Sequence, residues 1–388
     1  MTDRKPGVAT GLVEGGRRKE WRGRLVNVPV DRASTILFDN VEELERARPG
    51  LGQWNYGLQG TATHWALSEA LTELEPGAAG TALYSSGLAA ITGALLAVLG
   101  TGDELLVVDS VYGPTRKFCD TILKRLGIKV TYYDPLVGAA IAEQFSERTR
   151  AILLESPGSL TMEVQDVPAI CAAARERGVV TLLDNTWATP LLFPALAAGV
   201  DISVQALSKY VGGHSDVMIG SATANAEHFP RVQRTCWDLG HAVSPDDAWL
   251  GSRGLRTLAV RLKQHEENAL KVARWLKDQP QVGRILHPAF PDCPGHEYWK
   301  RDFKGSSGLF SFELKDAGAA NRAGFIDSLK LFGIGFSWGG YESLVLPADP
   351  VRKVSEAPAP NLVRLQIGLE DPDDLIADIA AAFAQAGR

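Results

Sequence analysis

The sequence predicts an α/β protein with a large, mostly parallel sheet covered by helices, followed by a smaller α+β domain. Three observations predict it. From about residue 61 to 250, short Val/Ile/Leu-rich runs alternate with helical patterns, and such alternation builds a parallel sheet with helices on its faces. Those runs lack strict apolar–polar alternation, as strands buried on both faces do. Beyond about 250 the regular alternation of elements stops, although strand and helix patterns continue.

Taken in order, residues 1–60 carry few periodic signals and many Gly, Arg and Pro. They read as an extended N-terminal arm. An arm that cannot build its own core packs on something else, here a neighbouring subunit. Residues 61–250 form the expected large domain. Its candidate strands are 81–85, Glu104–Val108, Lys129–Tyr133, 151–155, 179–183 and 202–205, with helices expected at 88–99, 115–126, 137–145, 167–177 and 190–198. A long charged helix is expected over about 247–278. It leads into a small domain, 251–388, with strands at 307–314 and 362–368 and a closing amphipathic helix at 373–386.

The bulk numbers narrow the function. A net charge of -6 argues against nucleic acid as the main partner, because a phosphate backbone calls for a basic face. No run approaches the roughly 18 apolar residues of a membrane helix, and the polar, charged start lacks the apolar stretch of a secretion signal. The four cysteines are scattered without a C-x-x-C pair. That fits reduced thiols in a cytoplasm, with neither a disulfide frame nor a metal site.

In an open parallel sheet, ligands bind beyond the carboxyl ends of the strands. Four polar signals follow strand candidates there. After 81–85 comes Ser86-Gly87-Leu88 at a helix start, where free amides and the helix dipole favour phosphate; a plain cap or close packing would use the same residues. After Glu104–Val108 comes Tyr112 before Gly113-Pro114, a ring able to stack on a planar ligand or simply to anchor a turn. After 179–183 comes Asp184, a carboxylate costly to bury without a partner and suited to a protonated pyridine nitrogen or to capping the next helix. After 202–205 come Ser208 and Lys209. Burial lowers a lysine's pKa and leaves an amine able to attack a carbonyl; a surface lysine is the plain alternative. His214, in a Gly-rich turn, reads as structural. Phosphate cup, stacking ring, pyridinium partner and Schiff-base lysine make one kit, that of pyridoxal 5′-phosphate (PLP). The fingerprints of dinucleotide, nucleotide-triphosphate and zinc-protease sites are absent from the sequence.

These residues, together with Tyr56-Gly57, Glu155-Ser156-Pro157-Gly158, Asp184-Asn185-Thr186-Trp187, Ser208-Lys209-Tyr210, Gly213-His214-Ser215-Asp216 and Ser337-Trp338-Gly339-Gly340-Tyr341-Glu342-Ser343, identify a resemblance. The chain resembles the Cys/Met-metabolism PLP enzymes over about 35–386. The resemblance implies the PLP-dependent transferase fold, aspartate aminotransferase-like. It also implies roles. Lys209 holds the cofactor as a Schiff base and then moves protons, with Tyr112 and Tyr56 also counted as catalytic. Asp184 pairs with the pyridine nitrogen and Tyr112 stacks on the ring. Gly87, Leu88 and Ser208 hold the phosphate, and Tyr56 reaches it from a neighbouring subunit. Arg364 clamps the substrate carboxylate, with Ser337, Trp338 and Tyr112 framing the substrate. The assembly implied is a homotetramer, a dimer of dimers. Two positions depart from the pattern: Leu58 stands where an arginine is often found, and Ala206 where a serine often helps bind phosphate. Losing a charge-assisted bond would weaken the grip on PLP by about 1.5–3 kcal/mol. Gln59, nearby, carries no charge.

Members of this family run β-elimination, γ-elimination or γ-replacement. Trp338 stands where γ-type relatives often have a smaller residue, and Phe336 where several carry a glutamate. Both lean toward β-elimination of L-cystathionine to homocysteine, pyruvate and ammonia, in methionine biosynthesis, unless they merely pack the small domain. The alternatives are a γ-type lyase or synthase, or a PLP-binding regulator.

Overall fold

The structure, a computed structural model, describes residues 7–315, 319–356 and 361–386. The first six residues of the expected arm, and 316–318, 357–360 and 387–388 of the expected small domain, lie outside them.

Seven strands form the large sheet: β1 (Gly80–Tyr84), β2 (Glu104–Val108), β3 (Lys129–Tyr133), β4 (Thr149–Glu155), β5 (Val180–Asp184), β6 (Ile202–Ala206) and β7 (Gly220–Ala224), in the order β1-β7-β6-β5-β4-β2-β3. All run parallel except β7, which is antiparallel to both its neighbours. The six expected strands are present within a residue or two. β7 was not legible because it reads Gly-Ser-Ala-Thr-Ala, with no bulky apolar residue, although every residue in it is buried. It is built for close approach. A Cβ on Gly220 would stand 2.2 Å from the Ser86 carbonyl oxygen, and the Thr223 hydroxyl is 2.9 Å from that of Thr81 across the sheet.

Helices cover both faces. Gly87–Val98 carries small and aliphatic residues around its whole circumference because the sheet buries it. The run expected at 115–126 begins as Gly113–Phe118 and widens into a π-helical turn, Cys119–Leu123. The stretch expected at 137–145 is a 3-10 helix, Gly138–Gln144, and that at 190–198 shrinks to Thr189–Leu192.

The expected long helix is two, Pro245–Leu255 and Leu258–Lys277. The second crosses from one core to the other. Leu258 and Leu262 belong to the large core, whereas Ala269, Val272, Ala273 and Leu276 belong to the small one. The small sheet has the order β10-β11-β12-β9-β8, with β8 (Val282–Leu286), β9 (Leu309–Leu314), β10 (Gly333–Ile334), β11 (Leu344–Pro347) and β12 (Leu362–Gln366). Of these only β9 and β12 were expected; β11 has four residues and β10 two, and β8 carries Gly283 and Arg284 in the middle of its run. The closing helix is Pro372–Ala386.

The arm is less extended than its composition suggests. It contains the helices Val8–Glu14, Lys19–Arg22 and Val41–Arg46, and its first part packs on its own chain. Leu12 is buried in the large core, Trp21 packs on Trp65, and the Arg256 guanidinium donates to the carbonyls of Leu12 and Gly15 at 2.7 and 2.8 Å.

Candidate active site

The expected residues meet in a cavity of about 520 Å³ at the carboxyl ends of the parallel strands. Those of the large domain enter by one device: they stand at, or just beyond, the carboxyl end of a buried strand. Following the sheet order, β1 delivers Ser86, Gly87 and Leu88, β6 delivers Ser208 and Lys209, β5 delivers Asp184, and β2 delivers Tyr112. Ser337, Trp338 and Arg364 arrive from the small domain and close the other side. A cavity of about 550 Å³ lies elsewhere, between the helices Ala62–Leu74 and Phe229–Asp238; Trp65, Phe229 and Trp237 line it and none of the expected site residues does, although Leu58 and Gln59 do.

Lys209 is the centre of the site. Its Nζ donates to the Ser337 hydroxyl at 2.5 Å and lies 5.4 Å from the centre of the Trp338 ring. Burial, and then the neighbouring Arg364 cation, push its ammonium down to about 8, against the opposing pull of Asp184. Such an amine is neutral in a useful fraction of molecules at physiological pH. The turn that follows Lys209 is stapled by Arg261, a buried residue that donates to the Tyr210 carbonyl at 2.7 Å and to the Gly254 carbonyl at 2.8 Å. His214 Nδ1 meets the Gly212 carbonyl at 2.8 Å, consistent with a structural histidine.

Asp184 closes β5. Its Oδ1 accepts from the Thr186 N–H at 3.0 Å and the Thr186 hydroxyl at 2.5 Å. Burial raises the proton affinity of this carboxyl, while the Thr186 bonds and the Lys209 cation favour its charge. It is thus a charge held ready for a cationic partner. Tyr112 caps the helix Gly113–Phe118 with 44% of its surface exposed, and burial above all raises its phenol so that it stays protonated. The cup at Gly87 is formed by a 12-residue helix whose Ser86 hydroxyl caps the Ala89 N–H. Gly87 rests directly on Ala206, where a Cβ would come within 2.4 Å of the alanine methyl. The Ser208 hydroxyl is tied to the backbone of Ile219, accepting at 3.0 Å and donating at 3.2 Å, which fixes it at the cavity rim.

The small-domain side is one hydrogen-bonded loop. Ser337 has φ of +87°, an uncommon value for a non-glycine residue and a form of local strain found at functional sites. Its hydroxyl takes Lys209 and its carbonyl accepts from Arg364 Nη2 at 2.9 Å, so one residue joins the two cations. Burial lowers the Arg364 guanidinium to about 10, still charged at neutral pH. Gly339, at φ +82°, packs on the Lys209–Tyr210 backbone so closely that a Cβ would lie 2.8 Å from the Tyr210 nitrogen. Ser343 and Glu370 fasten the far end of the loop to the end of β12 through bonds of 2.8 Å.

Tyr56 is not in this cavity. It is 49% exposed and its hydroxyl is 3.5 Å from that of Ser34. Sequence reasoning gave no role to Glu155, Thr186, Arg261, Met218 or Glu342, of which all but Arg261 line the cavity. Glu155 carried the same signal as Asp184, a carboxylate ending a strand. Glu342 accepts the Ser215 hydroxyl. Among the described residues, no group of three or more His, Cys, Asp or Glu is placed to hold a metal, and no helix is long and apolar enough to cross a membrane.

The donor set fits PLP: helix-terminal amides at Gly87 for a phosphate, a tyrosine ring, a buried carboxylate for a ring nitrogen and an amine of lowered basicity for the aldehyde. Comparison with known proteins agrees. Residues 9–384 match the family described as Cys/Met metabolism PLP-dependent enzyme. The chain is 46% identical to cystathionine beta-lyase MetC of Escherichia coli, over 99% of this chain and all of that one. It is 50% identical to a putative cystathionine beta-lyase of Rhizobium johnstonii, over 98% and 96% of the two chains. In three dimensions it resembles the crystal structure of cystathionine gamma-lyase from Lactobacillus plantarum, with a TM-score of 0.90 and 29% identity over 98% of this chain and 100% of that one. A strand-end site with this donor set, within a match that spans nearly the whole chain, makes the protein a member of the Cys/Met-metabolism PLP-dependent enzymes, with pyridoxal phosphate as its cofactor.

Proposed function

We propose that the protein is a carbon–sulfur lyase that cleaves L-cystathionine by β-elimination, releasing homocysteine and 2-aminoacrylate, which water hydrolyses after release to pyruvate and ammonia. One observation carries the choice of reaction: full-length relatives named for β-cleavage share 46–50% of residues with this chain, whereas the gamma-lyase structure shares 29%. The aromatic pair at the small-domain wall supports it. Trp338 packs at a tilt against Tyr210, ring centres 5.5 Å apart, and narrows the cavity above Lys209, while Phe336, 94% exposed, stands at the mouth.

Bound pyridoxal phosphate supplies the electron sink for breaking the substrate Cα–H bond. The chain's own residues do the rest. Arg364 holds the α-carboxylate with the part of its guanidinium that Ser337 leaves open. That fixes the Cα–H direction. Lys209 Nζ, oriented by Ser337 Oγ, takes the Cα proton; its lowered basicity makes the neutral amine available. Asp184 keeps a proton on the ring nitrogen, and Thr186 keeps Asp184 charged and aimed. Tyr112 and Trp338 flank the reacting carbon and exclude water. Gly87, Leu88 and Ser208 anchor the phosphate.

The residue roles are part of the proposal, as are three further points. Residues 1–60, 61–250 and 251–388 act as arm, cofactor domain and small domain. Tyr56, half exposed and away from its own chain's cavity, serves the phosphate of a neighbouring subunit in a homotetramer. The four cysteines, buried and unpaired, fit a cytoplasmic enzyme. The deciding experiment incubates purified holoenzyme with L-cystathionine. Pyruvate with homocysteine supports β-cleavage, and 2-oxobutyrate with cysteine refutes it.

A further inference from the structure

Glu155 closes β4 one strand away from Asp184. The two are register partners in a parallel pair, so their side chains leave the same face of the sheet, on strands about 4.8 Å apart. Both line the cavity. Two carboxylates so close do not both ionise cheaply. The surroundings decide which one does. Asp184 accepts two hydrogen bonds from Thr186 and faces the Lys209 cation. Glu155 accepts one backbone bond, from the Tyr112 N–H to Oε2 at 2.7 Å. The cations that face Glu155 from other elements are already engaged: Arg116, on the helix Gly113–Phe118, with Asp109 at 3.0 Å, and Arg352, on the segment after β11, with Glu163 at 2.7 Å. Burial and the Asp184 charge accordingly hold the Glu155 carboxyl well above the usual range.

We propose that Glu155 is a positioning residue: a neutral carboxyl group that fixes the Tyr112 turn by accepting its N–H and leaves the charge of the strand-end pair on Asp184. The Tyr112 N–H lies at the start of the helix Gly113–Phe118, where backbone donors lack partners within the helix. Without Glu155 it would be left unsatisfied and the turn that carries the Tyr112 ring would lose its anchor. A charged Glu155 would raise the proton affinity of Asp184 and spoil its role toward a ring nitrogen. This inference rests on the cofactor-binding roles given above for Tyr112 and Asp184.

Two variants of the holoenzyme test it. In infrared difference spectra near neutral pH, the wild type is expected to show a protonated-carboxyl band that Glu155→Gln removes. Glu155→Ala is expected to lower kcat by roughly tenfold or more, the cost of an unsatisfied buried donor, with KM less affected and the cofactor absorbance shifted. Glu155→Gln, which keeps a neutral acceptor, is expected to recover most of that loss and of the spectral shift. Persistence of the band in Glu155→Gln, or kinetics for it as poor as those of Glu155→Ala, would overturn the proposal. Should Glu155→Ala fail to fold, the band and the kinetics of Glu155→Gln still decide. A product assay giving 2-oxobutyrate would remove the reaction assignment but leave the band intact, so the two failures are distinguishable.

Discussion

The two sides of the cavity are built by different means. On the large-domain side, Asp184 ends a buried strand and Lys209 and Tyr112 follow theirs by three and four residues, and the hydrogen-bonded sheet sets their spacing. On the small-domain side, Ser337, Trp338 and Gly339 lie in a loop with two positive φ values, held by contacts to Lys209, Arg364 and Glu370. The floor is a rigid frame for chemistry. The wall is a folded loop that presents a clamp. Substitutions on the floor should therefore damage the chemical step, and those on the wall should damage binding or the loop itself.

The largest effect is expected from Lys209→Ala, which removes the proton-moving amine. Steady-state assays should show turnover falling by roughly 10⁴-fold, the upper range for a general base. Asp184→Asn comes next. It preserves shape but removes the charge proposed to face the ring nitrogen, so kcat should fall by roughly 10²–10³-fold, as for a lost electrostatic partner. Arg364→Ala probes the wall. Because the clamp holds a group that does not react, KM should rise by roughly 10–100-fold, the worth of a charge-assisted contact, with kcat changed less. If kcat fell as far as in Asp184→Asn, the division between floor and wall would be wrong. Gly339→Ala sharpens the division further. Its Cβ would press on the Tyr210 nitrogen at 2.8 Å from a left-handed backbone, so denaturant unfolding should show a loss of about 1–3 kcal/mol, typical of overpacking.

The smallest effect concerns pH. The Lys209 ammonium is pushed down to about 8, and only the neutral amine attacks an aldehyde. Capture of added pyridoxal phosphate by apoprotein should speed up about tenfold per pH unit below that value and level off above it. Stopped-flow absorbance measures this. A break near the ordinary lysine value would mean that burial does not tune the residue.

The same contrast explains what was legible in the sequence. Strands such as Glu104–Val108 announce themselves because both faces are buried in aliphatic residues, and the polar residue after each is found by position alone. Asp184 and Lys209 needed no more than that. β7 escaped because small residues bury as completely as large ones when a helix start lies against them. The single helix expected across 247–278 escaped division because its charge pattern continues through the break at 256–257. Ser337 and Arg364 could be reached only through family resemblance: nothing in the local pattern says that Ser337 takes a positive φ or that its carbonyl meets a guanidinium from β12. Glu155 was overlooked although it ends a strand as Asp184 does, since its partner is a backbone N–H that no side-chain motif reveals.

The central claim, that Lys209 is the amine that holds the cofactor in this cavity, is tested most directly by borohydride reduction of the holoprotein followed by peptide mapping. A single pyridoxyl adduct on Lys209 is the expected result. An adduct on another lysine, or none at all, would contradict it.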